Sequence, residues 1–240
     1  MEYRPPSQVP VKCDACIVRH KAICAALSEE ELTDFNKIAR QRLIPAGQVV
    51  SMEDDFVFAN IMDGVIKLTK TLADGRQQIV GLQFPPDFLG RIYAKETPYY
   101  ATAATNVELC AFPKVGFETM LKRYPGLEHR LFADTLDELD SAREWMVLLG
   151  RKNAQEKVAS LLAMIAQRAP NVGCHHMPDF HFARFTLPLT RADLADYLGL
   201  TLETVSRQIT KLKTAGVIEL MDNREIIVPD IDTLQDAAGD

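Results

Sequence analysis

Between residues 40 and 116 the apolar positions come in short runs of strand-like composition: Val49–Met52, Ala59–Met62, Val65–Thr71, Gln78–Gln83 and Val107–Pro113. Pro-Ala-Gly, Asp-Gly, Ala-Asp-Gly and Pro-Pro-Asp turns punctuate them. Many short strands set off by turn residues predict a β-barrel or β-sandwich. The period changes on both sides. Upstream, Ser28–Ile38 reads as a helix, with Ser28 as N-cap and Glu31 at the capping-box position. Downstream, residues 117–150 read as helical. Phe132, Leu136, Leu139, Ala142, Met146 and Leu149 follow one another at spacings of 4, 3, 3, 4 and 3, a coiled-coil-like seam with Arg143 beside it. Trp145, Val147 and Leu148 give the same helix a second apolar face. One face can pack on the β domain and the other on a second copy, so a homodimer is expected. A further helix, Ala154–Arg168, leads into a loop containing Pro170, Gly173 and Pro178.

The pattern from Leu189 to Leu220 is more specific. Thr190 reads as an N-cap with Asp193 at the capping-box position. Leu194, Ala195 and Leu198 form a buried stripe, and Gly199 supplies the left-handed residue that ends a short helix. Thr201 then caps a second helix whose inward stripe is Val205, Ile209 and Leu212. Two short helices joined by a glycine turn are a helix-turn-helix. Val217–Leu220, the Asp222-Asn223 turn and Ile226–Val228 read as a β-hairpin wing.

The second helix presents Glu203, Thr204, Ser206, Arg207 and Lys211 outward, just past its cap Thr201. Its first turns are the part that enters the major groove of double-stranded DNA. There Arg207 can bond guanine O6 and N7, Glu203 can accept from cytosine N4, and Ser206 suits either kind of partner; Lys211 and Lys213 suit phosphates. The alternative is an ordinary helical hairpin in which Glu203 and Arg207 form a surface ion pair.

Composition sharpens this reading. The chain has 240 residues, 47% hydrophobic and 25% charged, as befits one or two globular domains. Its net charge is −6, so any affinity for DNA must reside on a local surface. Even the DNA-reading region is mildly acidic: Arg191, Arg207, Lys211, Lys213 and Arg224 are outnumbered by Asp193, Asp196, Glu203, Glu219, Asp222 and Glu225. No apolar run is long enough for a membrane span, and the proline-bearing start has no apolar signal core. A cytoplasmic location without membrane contact is expected, with thiols kept reduced. There is no HExxH, Gly-rich phosphate loop or Ser-nucleophile elbow, so no enzymatic turnover is expected.

Five cysteines remain. Cys13, Cys16 and Cys24 are spaced C-x2-C-x7-C; Cys110 lies in an expected strand, and Cys174 precedes His175 and His176 in a polar loop. Three thiolates on one segment can wrap a metal centre, with Cys110 as a fourth ligand. Such a set suits an iron–sulfur cluster or zinc. Structural zinc sites usually pair two tight knuckles and only one is present, whereas a bulkier cluster tolerates wider spacing. Lys12, Arg19, His20 and Lys21 supply cations to offset cluster charge. Redox thiols and unrelated cysteines are the remaining readings. The Cys174 group reads as a solvated loop.

Together, Glu203-Thr204-Val205-Ser206-Arg207, the arm cysteines and Cys110 resemble the CRP/FNR superfamily of bacterial regulators, specifically its oxygen-sensing FNR branch. The stretch Thr135–Met146, the segment Leu187–Gln208 and the arm spacing are similar to the FnrL and FnrN type from alphaproteobacteria. The resemblance implies an α+β fold: a cyclic-nucleotide-binding-type β jelly roll, a long dimerisation helix and a C-terminal winged helix-turn-helix. The implied divisions are a cysteine-bearing arm (1–30), a sensory roll (31–117), the dimer helix (118–151) and the DNA-binding domain (152–240). It further implies that Cys13, Cys16, Cys24 and Cys110 hold an oxygen-labile [4Fe–4S] cluster. The loaded dimer would bind a TTGAT-type palindrome through Glu203, Ser206 and Arg207, contact RNA polymerase and act mainly as an activator under low oxygen. Oxygen would convert the cluster to a [2Fe–2S] form, loosen the dimer and release the DNA.

Departures from the family pattern carry expectations of their own. Cyclic-nucleotide-binding relatives carry an Arg-Ser pair after a Gly-Glu; the corresponding stretch from Phe88-Leu89-Gly90-Arg91 to Ala101-Thr102 has none, so no cyclic nucleotide is expected. Arg91 is read as a surface or interface residue. Ala142 aligns with an acidic residue that contributes to oxygen control in relatives. The alternative within the superfamily is a sensor of haem-bound gas, nitric oxide or thiol redox state. His20 is the one histidine near the arm cysteines, which weakens the haem version.

Overall fold

In a computed structural model, residues 13, 15–50, 56–90, 98–168, 182–222 and 224–239 are described. They fall into two compact units, Met1–Lys70 with Leu82–Leu139, and Thr71–Gly81 with Asp140–Asp240.

A two-sheet β-roll makes up most of the first unit, with Gln77–Gly81 of its fourth strand counted in the second. Its strands are β1 (Arg40–Ile44), β2 (Phe56–Asp63), β3 (Ile66–Thr71), β4 (Gln77–Gln83), β5 (Phe88–Leu89), β6 (Tyr100–Ala103) and β7 (Val107–Pro113). One sheet runs β1-β7-β2-β5 and the other β4-β3-β6. Side chains alternate across each strand, so Val107, Leu109, Ala111, Ala59 and Ile61 point inward to meet Ile66, Leu68, Ala101 and Ala103 in one buried core. Of the expected Val49–Met52 strand, the described part forms only an isolated bridge from Val49 to Thr102, and Ser51 and Met52 lie outside the described residues.

The opposite face of the β1-β7-β2-β5 sheet carries a second core. Phe58 and Phe112 pack there against Leu32 and Phe35 of helix α1 (Glu29–Ile38) and against Phe117 and Leu121 of α2 (Lys114–Arg123). The rings are close, with centroids 4.4 Å apart for Phe35–Phe112 and 5.0 Å for Phe58–Phe117. Burying each such ring contributes about 1.5–3 kcal/mol. The α1 start is as expected: Ser28 accepts from the Glu31 N–H at 3.3 Å, and the Glu31 carboxylate accepts from the Ser28 N–H at 2.9 Å.

Residues 117–150 are not one continuous helix. Tyr124 leaves helical geometry (φ −122°, ψ 89°), and helix α3 starts afresh at Pro125 and runs to Arg151. The proline ring forbids α geometry to the residue before it and suits the first helical position. Residues 118–123 therefore belong to α2 rather than to the long helix. On α3, Leu127 is buried in the second core. Further along, the Trp145 ring stacks on Tyr197, centroids 3.9 Å apart and 19° between planes, and Leu148 is buried. Of the second apolar face, Trp145 thus packs on the helix-turn-helix and Leu148 is buried, whereas Val147 is exposed.

The second unit contains α4 (Ala154–Arg168), β8 (Ala183–Thr186), α5 (Arg191–Leu198), α6 (Leu202–Thr214), β9 (Glu219–Leu220), β10 (Glu225–Val228) and α7 (Ile231–Ala238). The wing is a three-stranded sheet in the order β8-β10-β9; β8 and α7 are additions to the sequence-based expectation. Cys174, His175, His176 and Arg91 lie outside the described residues.

Candidate nucleic-acid interface and thiol site

Sequence-local chemistry sets the DNA-facing geometry. Thr190 accepts from the Asp193 N–H at 3.1 Å while the Asp193 carboxylate accepts from the Thr190 N–H at 2.9 Å, closing the capping box. Gly199 sits in the left-handed region (φ 63°, ψ 40°) and turns the chain between α5 and α6. Thr201 caps α6 by accepting from the Thr204 N–H at 3.2 Å. Val205, Ile209 and Leu212 are buried beneath α6, as are Leu194, Ala195 and Leu198 beneath α5.

This packing leaves Thr201, Glu203, Arg207 and Lys211 exposed, with Thr204 and Ser206 half-buried. Arg207 donates to the Thr204 hydroxyl at 3.3 Å rather than pairing with Glu203. The bonds Glu203 accepts from its own N–H and from Thr201 hold its carboxyl below the ordinary value, so it stays an ionised acceptor at the helix start. An open groove beside Arg207 and Lys211 is lined by Thr210, Thr214 and Ala215 as well. The two threonines were not picked out by motif, but positions 207, 210, 211 and 214 fall on one helical face. In the wing turn, Asp222 accepts from the Arg224 and Glu225 N–H groups, each at 2.6 Å.

The long helix carries the expected seam openly. Phe132, Leu136, Leu139, Ala142 and Met146 are exposed, whereas Leu149 is half-buried. Arg143, beside it, is paired with Asp140 at 2.7 Å. Several large apolar side chains on one exposed helix face mark an association surface.

The cysteine arm folds back as a series of turns. The Cys16 N–H donates to the Cys13 carbonyl at 3.3 Å and the Arg19 N–H to the Cys16 carbonyl at 3.3 Å; Val18, Ala22 and Ile23 are buried. Arg130 of α3 donates to the Lys21 carbonyl at 2.8 Å and to Asp134 at 2.8 Å, tying the arm to the long helix. Cys13, Cys16, Cys24 and Cys110 are all half-buried. Cys13 and Cys24, from the arm, and Cys110, from β7, pack against the same aromatic cluster. The Cys13 thiol donates to the Asn36 Oδ1 at 3.5 Å, and the Cys24 thiol to the Arg19 carbonyl at 3.7 Å. Burial pushes the Cys24 thiol up to about 11, with the neighbouring Cys16 and Cys13 adding to the rise and Arg19 opposing it. Cys13 is raised for the same first reason, and again by Cys16. The arm thiols therefore share one partly dehydrated, electrostatically coupled neighbourhood. Among the described residues no three His, Cys, Asp or Glu side chains converge as they do around a single metal ion.

Two polar side chains in this region were not singled out in the sequence. Asn36 touches Cys13, and Asn60 is buried on β2 in direct register with Cys110. The available signal was an asparagine inside the apolar strand Phe-Ala-Asn-Ile, a position where its kind is depleted.

Comparison with known proteins decides the family. A family profile described as "Crp-like helix-turn-helix domain" matches residues 156–237, and one described as "Cyclic nucleotide-binding domain" matches residues 41–124. A protein named "Probable transcriptional activator" from Rhizobium leguminosarum bv. viciae is 48% identical over 229 residues, covering 94% of this chain and 92% of its own. The chain belongs to the CRP/FNR family. "Transcriptional activator protein FnrL" of Cereibacter sphaeroides is 47% identical over 232 residues, covering 95% of this chain and 92% of its own. Among solved structures, FixK2 from Bradyrhizobium japonicum matches with a TM-score of 0.72 and 28% identity, over 83% of this chain and 97% of that one. The cyclic-nucleotide-binding-type β domain, long helix and C-terminal helix-turn-helix are thus the family architecture. The family is one of DNA-binding regulators that typically act as dimers, and is not enzymatic. No helix among the described residues is long and apolar enough to cross a membrane.

Proposed function

We propose that this protein is an oxygen-responsive transcription regulator, mainly an activator under low oxygen, whose Cys13, Cys16, Cys24 and Cys110 hold a [4Fe–4S] cluster. The observation that carries the reading is the gathering of Cys13, Cys24 and Cys110 against one aromatic cluster. Its relatives add support: two proteins named as transcriptional activators are nearly half identical to this chain over almost all its length. When bound, the cluster supplies an oxygen-labile centre. The chain's own residues do the rest. Thiolates replace thiols, two of which, Cys13 and Cys24, burial and their thiol neighbours hold protonated, so loading the site releases protons. The arm's fold, pinned by Ile23 in the core and by Arg130 at Lys21, links ligation to α3. The exposed Phe132, Leu136, Leu139, Ala142 and Met146, with Leu149, then pair with a second copy, and two α6 helices read the halves of a TTGAT-type palindrome.

On each half-site Glu203, Ser206 and Arg207 read base edges. Thr201, Thr204 and Lys211 position the helix on the backbone. RNA polymerase is the further partner, and the roll acts as a scaffold rather than a cyclic-nucleotide site. A thiol-redox sensor is disfavoured because redox-sensing cysteines have lowered pKa values, whereas Cys13 and Cys24 are raised. The test is the Cys24→Ser variant purified without oxygen. The reading requires it to be colourless and to have lost palindrome binding; a colourless variant that binds like the parent overturns cluster control.

A further inference from the structure

We infer that Asn60 and Asn36 are positioning residues for the two ends of this ligand set, their side-chain amides donating N–H bonds to the sulfurs of Cys110 and Cys13 once these are thiolates. The inference rests on the proposed cluster site.

Asn60 is the stronger case. It is only 2% exposed, and its Oδ1 has no hydrogen-bond partner. A buried amide oxygen left without a donor is destabilising, and the apolar side chains of the strand around it supply none. On β2 it lies directly opposite Cys110 of β7. Directly opposed residues share a sheet face, with Cβ atoms about 5 Å apart. That face is the one bearing Phe58, Phe112 and Cys110, all in the aromatic cluster. Ligation changes what stands opposite Asn60: a thiol is a weak donor, whereas a thiolate is an acceptor that an amide N–H can reach.

Asn36 shows the same chemistry from the other side. Its Oδ1 now accepts from the Cys13 thiol at 3.5 Å. Amide oxygen and nitrogen are nearly the same size, so a half-turn of the group exchanges acceptor for donor when the thiol loses its proton. Cys24 has no such adaptable partner. Its thiol donates to a backbone carbonyl, which cannot become a donor. Hydrogen bonds to ligand sulfurs draw charge from them, favour the electron-rich state and raise the reduction potential. The two amides therefore set how readily the cluster is oxidised.

The test compares the full-length protein with Asn60→Leu, Asn36→Leu and Asn36→Asp, all purified without oxygen. Iron and sulfide content, the midpoint potential and the absorbance decay in air are measured. The expected result is a lowered potential and a cluster lost about 10-fold faster in air. Asn60→Leu, freed of metal, should melt no lower than the parent, because a buried amide whose oxygen lacks a partner has been replaced by an apolar group. Unchanged potential and decay in the Asn36 and Asn60 variants overturn the inference while leaving the cluster reading intact. So does a metal-free Asn60→Leu protein that is clearly destabilised, which assigns the amide a structural role. Parent protein devoid of iron and sulfide overturns the cluster reading itself.

Discussion

Arg207 and Asp34 show how far single residues can be argued. Arg207 stands exposed on α6, within reach of Thr204 and without the Glu203 ion pair that would tie it down. Its replacement by Ala is expected to cost about 1–3 kcal/mol at one base position of each half-site, measured by binding to single-base variants of the palindrome. A uniform loss across unrelated sequences would assign it to the backbone instead. Asp34 accepts from Lys37 (2.6 Å), Tyr124 (2.9 Å) and Arg123 (3.0 Å), which holds its carboxyl below the ordinary 3.8. Its ionised form thus stabilises the fold above about pH 4, and that contribution is lost as pH falls through the lowered folded value. Melting curves of Asp34→Asn should lie below the parent near neutral pH and converge with it in strong acid. Neither Asp34's partners nor the Asn60–Cys110 register was legible in the sequence, since both depend on which distant elements become neighbours.

At the level of elements, local chemistry was the best guide. Capping boxes at Ser28/Glu31 and Thr190/Asp193, and the left-handed Gly199, lie where residue types placed them, because caps and αL glycines act over only a few residues. A Cβ added at Gly199 would meet nothing within 4 Å. The cost of Gly199→Ala is therefore pure backbone strain, about 1–2 kcal/mol, visible as a lower Tm together with weakened DNA binding. What escaped was short or context-made. The four residues of β8 alternate buried and exposed, yet are too few to stand out from a loop. The break at Tyr124 was written in Pro125, but the helical pattern on both sides masked it.

For the whole molecule, the proposed function makes the seam on α3 the link between sensing and DNA. Leu139 is 45% exposed and Phe132 62% exposed, a state that association with a second copy would relieve. Leu139→Glu is expected to leave the chain folded by circular dichroism but monomeric by analytical ultracentrifugation, with binding to a full palindrome reduced to that of a half-site. With acidic residues outnumbering basic ones in the DNA-binding region, phosphate attraction contributes little at a single half-site, which is in keeping with such bivalence. The 3.5-residue rhythm of this seam was visible in the sequence; the arm's tie to the same helix through Arg130 and Lys21 was not, because it joins a side chain to a backbone carbonyl. The central claim, that a cluster on Cys13, Cys16, Cys24 and Cys110 controls DNA binding, is tested most directly by one measurement. Anaerobically purified protein is assayed for iron, sulfide and palindrome binding before and after exposure to air. The account predicts about four iron and four sulfide per chain and binding that disappears with the chromophore; equal binding before and after air, or protein without iron, would contradict it.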